Sequence, residues 1–255
     1  MGLEGDRLSV NRKKERADKL LVERGLVQSR ERARALIMAG QVVAGDHKVD
    51  KPGQLLDSAI ELRVKEDIPF VSRGGLKLQK ALDEFVIDVT GLVVMDVGAS
   101  TGGFTDCLLQ RGAGRVFAVD VGYGQLAWKL RQDERVLSLE KTNIRYLEPE
   151  NLPATPDMAV IDASFISLEK VLPNTLRLVK PGGTLVALVK PQFEVGRGEV
   201  GKGGVVRDPG KHAEVLASIR ALSLSLQLEV LGVTESPILG PKGNREFLIY
   251  LKKMD

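Results

Sequence analysis

Of 255 residues only one is cysteine, Cys107, so no internal disulfide can form, and a reducing, cytoplasmic setting is the simple expectation. Histidine is almost as scarce: His47 falls in a predicted turn and His212 in a predicted helix. Neither has neighbours spaced like metal ligands, so no metal site is expected and both read as surface residues. Aromatic residues make up 4% of the chain, which argues against a stacking platform for unpaired bases. The longest apolar runs, such as "TLVALV", fall far short of the roughly 20 residues that a membrane-spanning helix needs. The first ten residues, "MGLEGDRLSV", are polar and lack the apolar core of a secretory signal. There is no internal repeat and no long low-complexity tract.

The composition is otherwise that of a soluble globular chain, 43% hydrophobic and 28% charged, with room for a large domain and a small one. Net charge is only +3, but between residues 12 and 34 lie Arg12, Lys13, Lys14, Arg16, Lys19, Arg24, Arg30, Arg32 and Arg34. The acids there are Glu15, Asp18, Glu23 and Glu31. A local basic surplus of this kind suits a phosphate backbone, although a solvated pair of helices explains charge alone as well. Ala17, Leu20 and Leu21 share one helical face before Gly25. Ser29 is placed to cap a second helix that buries Ala33, Leu36 and Ile37 and stops at Gly40. Arg30 and Arg34 are one turn apart on that helix, whereas Arg32 points elsewhere. Short strand-like pieces follow, giving a small α+β module over residues 12–65 after a flexible segment, 1–11. "KEDIP" and the residues to 72 read as a linker.

From residue 73 to 255 helix and strand alternate. The strands "LVVMDVG", "RVFAVD", "DMAVID" and "GTLVALVK" are apolar on both faces, the pattern of a parallel sheet covered on each side by helices. After a helix opening at Asp208-Pro209 come two strands with no helix between them, so these are expected to be antiparallel.

"DVGASTGGFTD", residues 96–106, sits between the first of those strands and a helix. It lacks the dinucleotide fingerprint, because Ser100 stands where the second glycine belongs, and no Gly-Lys-Ser/Thr follows. Asp96, Gly98, Ser100, Gly102 and Gly103 remain as a close-packed turn, and Asp120, at the end of the next strand, is placed to meet a ribose. The turn, Asp120 and the terminal antiparallel strand together resemble the S-adenosylmethionine-dependent methyltransferase fold, in which Asn143 would lie near the adenine. "KTNIRYL" is equally readable as a plain loop. Cys107 lies inside the following helix, which disfavours a cysteine nucleophile. No Asn-Pro-Pro-aromatic motif appears, which leaves oxygen as the natural methyl acceptor.

Four charged residues are expected at the carboxyl edge of the strands. Asp162 and Lys190 close two parallel strands, Glu246 begins the antiparallel one, and Lys77 lies early in a helix leading to that edge. Each alone is readable as a solvated residue, a helix cap or a surface pair; together they favour chemistry. A ribose hydroxyl must lose its proton to attack, and a lysine, with a free pKa of about 10.4, can serve as base once its surroundings lower that value.

"RGGLK" at 73–77, "DVGASTGGFTD", "DASFISL", "KPQFE" and "GNREF" resemble the TlyA family of rRNA 2′-O-methyltransferases. The catalytic domain of that family is similar to the FtsJ-type enzymes with a Lys-Asp-Lys-Glu tetrad, and Lys77, Asp162, Lys190 and Glu246 match it one by one. Residues 16–65 resemble the S4-type RNA-binding module. The resemblance implies S-adenosylmethionine as cofactor, ribosomal RNA or its subunits as partner, no membrane, and cytidine ribose as acceptor. It places RNA contacts at Arg16, Lys19, Arg30 and Arg34. Where some members carry an "RAWVP"-like linker this chain has "KEDIP", so linker-dependent switching is not carried over. Relatives have also borne a haemolysin label, but neither a spanning helix nor amphipathic barrel strands are evident; a non-catalytic RNA-binding assembly factor is the other alternative. The glycine-rich segment 194–210 reads as a lid, with Arg197 and Lys202 meeting phosphate, or as a mobile surface loop. Trp128 is readable as lining the cofactor pocket, with core packing the favoured expectation.

Overall fold

The computed structural model describes residues 14–45, 47–64, 69–196, 198–201 and 203–254. The chain divides into two compact units, Met1–Ser72 and Arg73–Asp255. The expected flexible segment 1–11, linker residues 66–68, and the lid cations Arg197 and Lys202 lie outside the described residues.

The first unit runs β1 (Lys14–Arg16), α1 (Ala17–Glu23), α2 (Arg30–Met38), β2 (Val42–Ala44), β3 (His47–Lys48), β4 (Leu55–Asp57) and β5 (Leu62–Val64). Ser29 caps α2 by accepting from Arg32 N at 3.1 Å, and Ala33, Leu36 and Ile37 are buried, as the periodicity requires. Ala17, Leu20 and Leu21 bury the inner face of α1. β2 pairs antiparallel with β3 and β5. Strand β1 is absent from the sequence pattern. "KER" has no alternation, and its extended form is set by pairing with β4, Arg16 opposite Leu55.

The second unit begins with α3 (Gly74–Glu84), then β6 (Val93–Val97), α4 (Gly103–Gln110), β7 (Arg115–Val119), α5 (Trp128–Arg131) and β8 (Val136–Leu139). It continues with β9 (Met158–Ile161), α6 (Leu168–Leu178), β10 (Thr184–Val189), α7 (Pro191–Glu194), α8 (Pro209–Ser225), β11 (Leu228–Glu235) and β12 (Phe247–Lys253). Seven strands form one sheet in the order β11-β12-β10-β9-β6-β7-β8. β6, β7, β8, β9 and β10 pair in parallel, while β12 is antiparallel to β10 and β11. This is the mixed α/β architecture expected, with the reversed strand inserted beside β10. The parallel strands are buried on both faces, and Met95, Phe117, Ile161 and Leu172 are fully enclosed between sheet and helices. Asp208 caps α8 by accepting from Gly210 N, with Pro209 at the first helical position. The chain leaves β6 for β7 and β8, then crosses back to β9 on the other side. The gap between β6 and β9 is therefore the switch point where such sheets bind ligands.

Two expectations about single residues are corrected. His212 is a buried residue of α8, 6% exposed, donating from Nε2 to the Val206 carbonyl at 2.9 Å and meeting the Phe247 ring edge-on. A helix nearly as apolar as α8 hides which face turns inward until the sheet is in place. Trp128 is 67% exposed at the start of α5, where the buried positions are taken by Leu126 and Leu130, packed toward Gly102.

Candidate active site

The turn after β6 is shaped by close packing. A side chain at Gly98 (φ +85°) would put its Cβ 2.8 Å from the Asp162 carbonyl oxygen, and one at Gly102 (φ +96°) would strike Leu130 and Leu126. Both positions need a backbone conformation that side chains resist as well as empty space. Gly102 caps α4, and Gly103 is its first residue. Ser100, also left-handed, donates its backbone N–H to Asp120 Oδ2 at 2.8 Å, and the other oxygen of Asp120 accepts from Gly122 N. Asp120 thus faces the turn across a hollow lined by Ala99, Ser100, Ala118, Gln125, Leu126, Ser138 and Glu140.

Asp96 is fully buried at the base of the turn, taking a 2.6 Å hydrogen bond from Thr105 Oγ1 on Oδ2 while Oδ1 has no partner. Burial, and secondarily the charges of Asp162 and Asp120, push its carboxyl up to about 7 against the pull of Thr105. Ser138 Oγ, in the hollow, is likewise buried without a partner. A polar ligand in the hollow would supply Ser138 with the hydrogen bond that the fold leaves unmade. Asn143 is placed differently. It is not among the residues lining the hollow, and its side chain accepts from Arg145 N at 3.1 Å as the cap of a short helical turn, 144–146.

Beyond the turn, three neighbouring strands deliver Asp162, Lys190 and Glu246, and α3 delivers Lys77. The register sets Val189 opposite Phe247, so Lys190 and Glu246 follow as the next pair at the edge, and β9 ends beside β10 just before Asp162. Lys190 Nζ lies 2.6 Å from Asp162 Oδ1 and donates to Ser164 Oγ at 2.8 Å. Lys77, on the first turn of α3, donates to Glu246 Oε2 at 2.6 Å. Lys77 and Lys190 are 8% and 5% exposed and Glu246 is fully enclosed. The four charges expected to converge form two ion pairs, one between the ends of β9 and β10 and one between α3 and β12. Gln192 joins them: it follows Lys190 by two residues, and its amide approaches Glu246 Oε1 at 3.4 Å. Gly240 leaves room for that carboxylate, since a Cβ there would lie 2.0 Å from Glu246 Oε1.

Several residues at this edge carry no signal in spacing. Ser164 and Gln192 each lie two residues past a strand-end charge, inside "DASFISL" and "KPQFE". Glu194 accepts from Ser167 Oγ and Leu168 N, fastening the loop after Asp162 to α7, and burial raises its carboxyl above the usual range. Phe165 is 90% exposed with φ +63°, its ring 5.1 Å from that of Phe193. Cys107 is buried in α4, where burial pushes its thiol up to about 12.

In the first unit, Arg16, Arg30 and Arg34 converge on the fully buried carboxylate of Asp18, at 2.9, 3.0 and 3.5 Å. The hydrogen bond from Arg16, outweighing burial, holds that carboxyl well below the usual range. The three guanidiniums remain 41–59% exposed, so one carboxylate gathers three cations on one face. Lys19 is braced between Glu15 and Glu23. Arg32 turns away, as its position on α2 requires, and donates to the Phe70 carbonyl.

Among the described residues no helix is long and apolar enough to cross a membrane. Residues 70–253 match the family model described as FtsJ-like methyltransferase, and residues 15–59 match the S4 domain. A Bacillus subtilis protein named "Putative rRNA methyltransferase YqxC" is 53% identical over 94% of this chain and 86% of its own length. The Mycobacterium tuberculosis protein named 16S/23S rRNA (cytidine-2′-O)-methyltransferase TlyA is 47% identical over 93% of this chain and 89% of its own. A solved structure described as "Putative hemolysin from Streptococcus thermophilus" superposes with a TM-score of 0.77 at 49% identity, covering 95% of this chain and 89% of that one. With an S4 domain ahead of an FtsJ-like methyltransferase domain, and relatives of this identity along nearly its whole length, the chain belongs to the TlyA family.

Proposed function

We propose that this protein transfers a methyl group from S-adenosylmethionine to the 2′-hydroxyl of a cytidine ribose in ribosomal RNA. The observation that carries the reading is a pair of lysine–carboxylate contacts, Lys190–Asp162 at the ends of β10 and β9 and the enclosed Lys77–Glu246 between α3 and β12, with a glycine turn packed on the Asp162 backbone. The relatives named for rRNA methylation supply the substrate class.

When bound, S-adenosylmethionine supplies an electrophilic methyl group on a sulfonium sulfur. Asp120 is placed to accept the ribose hydroxyls, exchanging its backbone partners at Ser100 and Gly122. Ser138, whose hydroxyl lines the hollow without a partner, is placed to bond the bound nucleoside, and Asp96, enclosed beneath the turn, ties that turn to α4 through Thr105. Lys190 is assigned as base, because its partner Asp162 is the residue in contact with the glycine turn. Lys190 Nζ would take the proton of the 2′-hydroxyl, leaving that oxygen free to accept the methyl group that the bound cofactor would supply. Asp162 and Ser164 fix the direction of Nζ, while Glu246 and Lys77 hold the rim against which the ribose is seated. Positioning of this kind accounts for much of the acceleration of a simple displacement. A target in paired RNA must swing out to reach the edge, and Phe165 offers its base an exposed ring. The arginines around Asp18 are assigned to RNA phosphate, with Lys19 beside them.

The test is transfer of tritiated methyl from S-adenosylmethionine to isolated ribosomal subunits, with reverse-transcription mapping of the product. Lys190→Ala is expected to lose roughly 10²–10⁴-fold in rate while cofactor affinity stays within a few-fold. Full activity of that variant, or methyl found on a base rather than a ribose, overturns the assignment.

A further inference from the structure

Low aromatic content leaves open where the few aromatic side chains lie. Tyr123, Trp128 and Tyr146 are 72%, 67% and 71% exposed. Tyr123 and Trp128 follow β7 at the carboxyl edge that also carries the turn, and Tyr146 follows β8, where residues 144–148 descend along α6 with the Ile144 and Leu147 carbonyls accepting from Asn174. Two of the rings hold a cation: Lys141 Nζ is 4.6 Å from the centre of Tyr123, and Arg145 Cζ is 5.2 Å from that of Tyr146. The segments are tied together, since Lys141 N donates to the Gly122 carbonyl and Thr142 N to the Asp120 carbonyl, both at 2.9 Å. The nearby acids are otherwise engaged: Glu140 with Arg131, Glu148 with Arg177, and Asp106 with Lys129. Among the described residues neither Lys141 nor Arg145 has a carboxylate partner.

We propose that these segments form a second RNA-contacting surface, on the methyltransferase unit itself, that takes an unpaired stretch of RNA flanking the target nucleotide. The proposal rests on the reading of RNA as substrate. An exposed ring with a cation on it offers a base one face and a phosphate a charge, the combination with which proteins track single strands irrespective of sequence. Fully hydrated, such rings leave apolar surface uncovered that the fold has no use for. None of the three lines the cofactor hollow, so a role as its wall does not account for them.

Trp128 is the sole tryptophan, and it reports on this surface directly. The full-length protein, saturated with S-adenosylhomocysteine, is titrated with ribosomal RNA and with a labelled 20-nucleotide unpaired RNA while its emission is followed. RNA is expected to quench Trp128 after S-adenosylhomocysteine has done all it will. Lys141→Gln/Arg145→Gln and Tyr123→Leu/Tyr146→Leu are each expected to weaken binding of the unpaired RNA about tenfold. The charge variant also lowers the slope of log affinity against log salt by about 1.4, and the ring variant leaves it unchanged. Calorimetric affinity for S-adenosylhomocysteine is expected to stay within twofold for both. Unaltered RNA binding by both variants overturns the proposal, as does weakened cofactor binding with RNA binding intact, which would make these rings a cofactor cover. If the wild type methylates ribosomal RNA and both variants do so equally at limiting RNA, only this surface falls. If the wild type methylates no RNA, the functional reading falls with it.

Discussion

Separating Glu246 from Lys77 probes the costliest arrangement in the molecule. The two charges lie 2.6 Å apart, with side chains 0% and 10% exposed. At an effective dielectric of about 20, such charges attract by roughly 6 kcal/mol, most of which offsets the loss of their hydration. Glu246→Gln keeps the shape that the space at Gly240 accommodates but strands an ammonium in the interior. That costs about 3–5 kcal/mol. Lys77→Met/Glu246→Gln removes both charges and is expected to return to within about 1 kcal/mol of the parent. Cys107 provides the readout. It is the only cysteine, it is enclosed in α4, and its elevated thiol stays unreactive until the methyltransferase unit opens. Under mild denaturant, Glu246→Gln should speed its labelling by roughly two to four orders of magnitude, and the double variant should restore slow labelling. Methyl transfer should be lost in both. A single variant that accelerates labelling less than about tenfold would show that Lys77 is not stranded, and a stable double variant that still methylates would remove the pair from the chemistry.

Gly98→Ala forces a Cβ to within 2.8 Å of the Asp162 carbonyl at a left-handed φ, so cofactor affinity should fall at least about tenfold and stability by about 1–3 kcal/mol; calorimetry showing unchanged affinity refutes the tight coupling of turn and Asp162. Asp96, raised to about 7 by burial, binds a proton in the folded chain that the unfolded chain has already released above about pH 4. Stability should therefore decline as pH rises from about 4 to 7, by on the order of 4 kcal/mol, and Asp96→Asn should flatten that decline in urea melts; an equal slope in the variant refutes it.

Local patterns were sufficient for the elements. The two-sided apolar strands, the caps at Ser29 and Asp208, and the three buried positions of α2 follow from short-range periodicity and hydrogen-bond need. Strand β1 does not, because its extended form depends on a partner some 40 residues away. Nor do the burial of His212 and the exposure of Trp128: a hydrophobic periodicity says that a face is covered, not which element covers it.

For the site, the sequence by itself determined the inventory: a glycine turn, an acid after the next strand, and four charges at predicted strand or helix ends. Only the tertiary structure decided how they are joined. The order of β9, β10 and β12, with α3 beside β12, divides the four charges into two pairs, and Gln192 approaches one of them at Glu246. Tertiary structure likewise gathers three arginines on Asp18 in the first unit and leaves the rings of Tyr123, Trp128 and Tyr146 exposed in the segments after β7 and β8 of the second. The physical reason is range. Propensity and capping act over a few residues, whereas an enclosed charge is tolerable only once its partner, here 169 residues away, has been brought to it by the sheet.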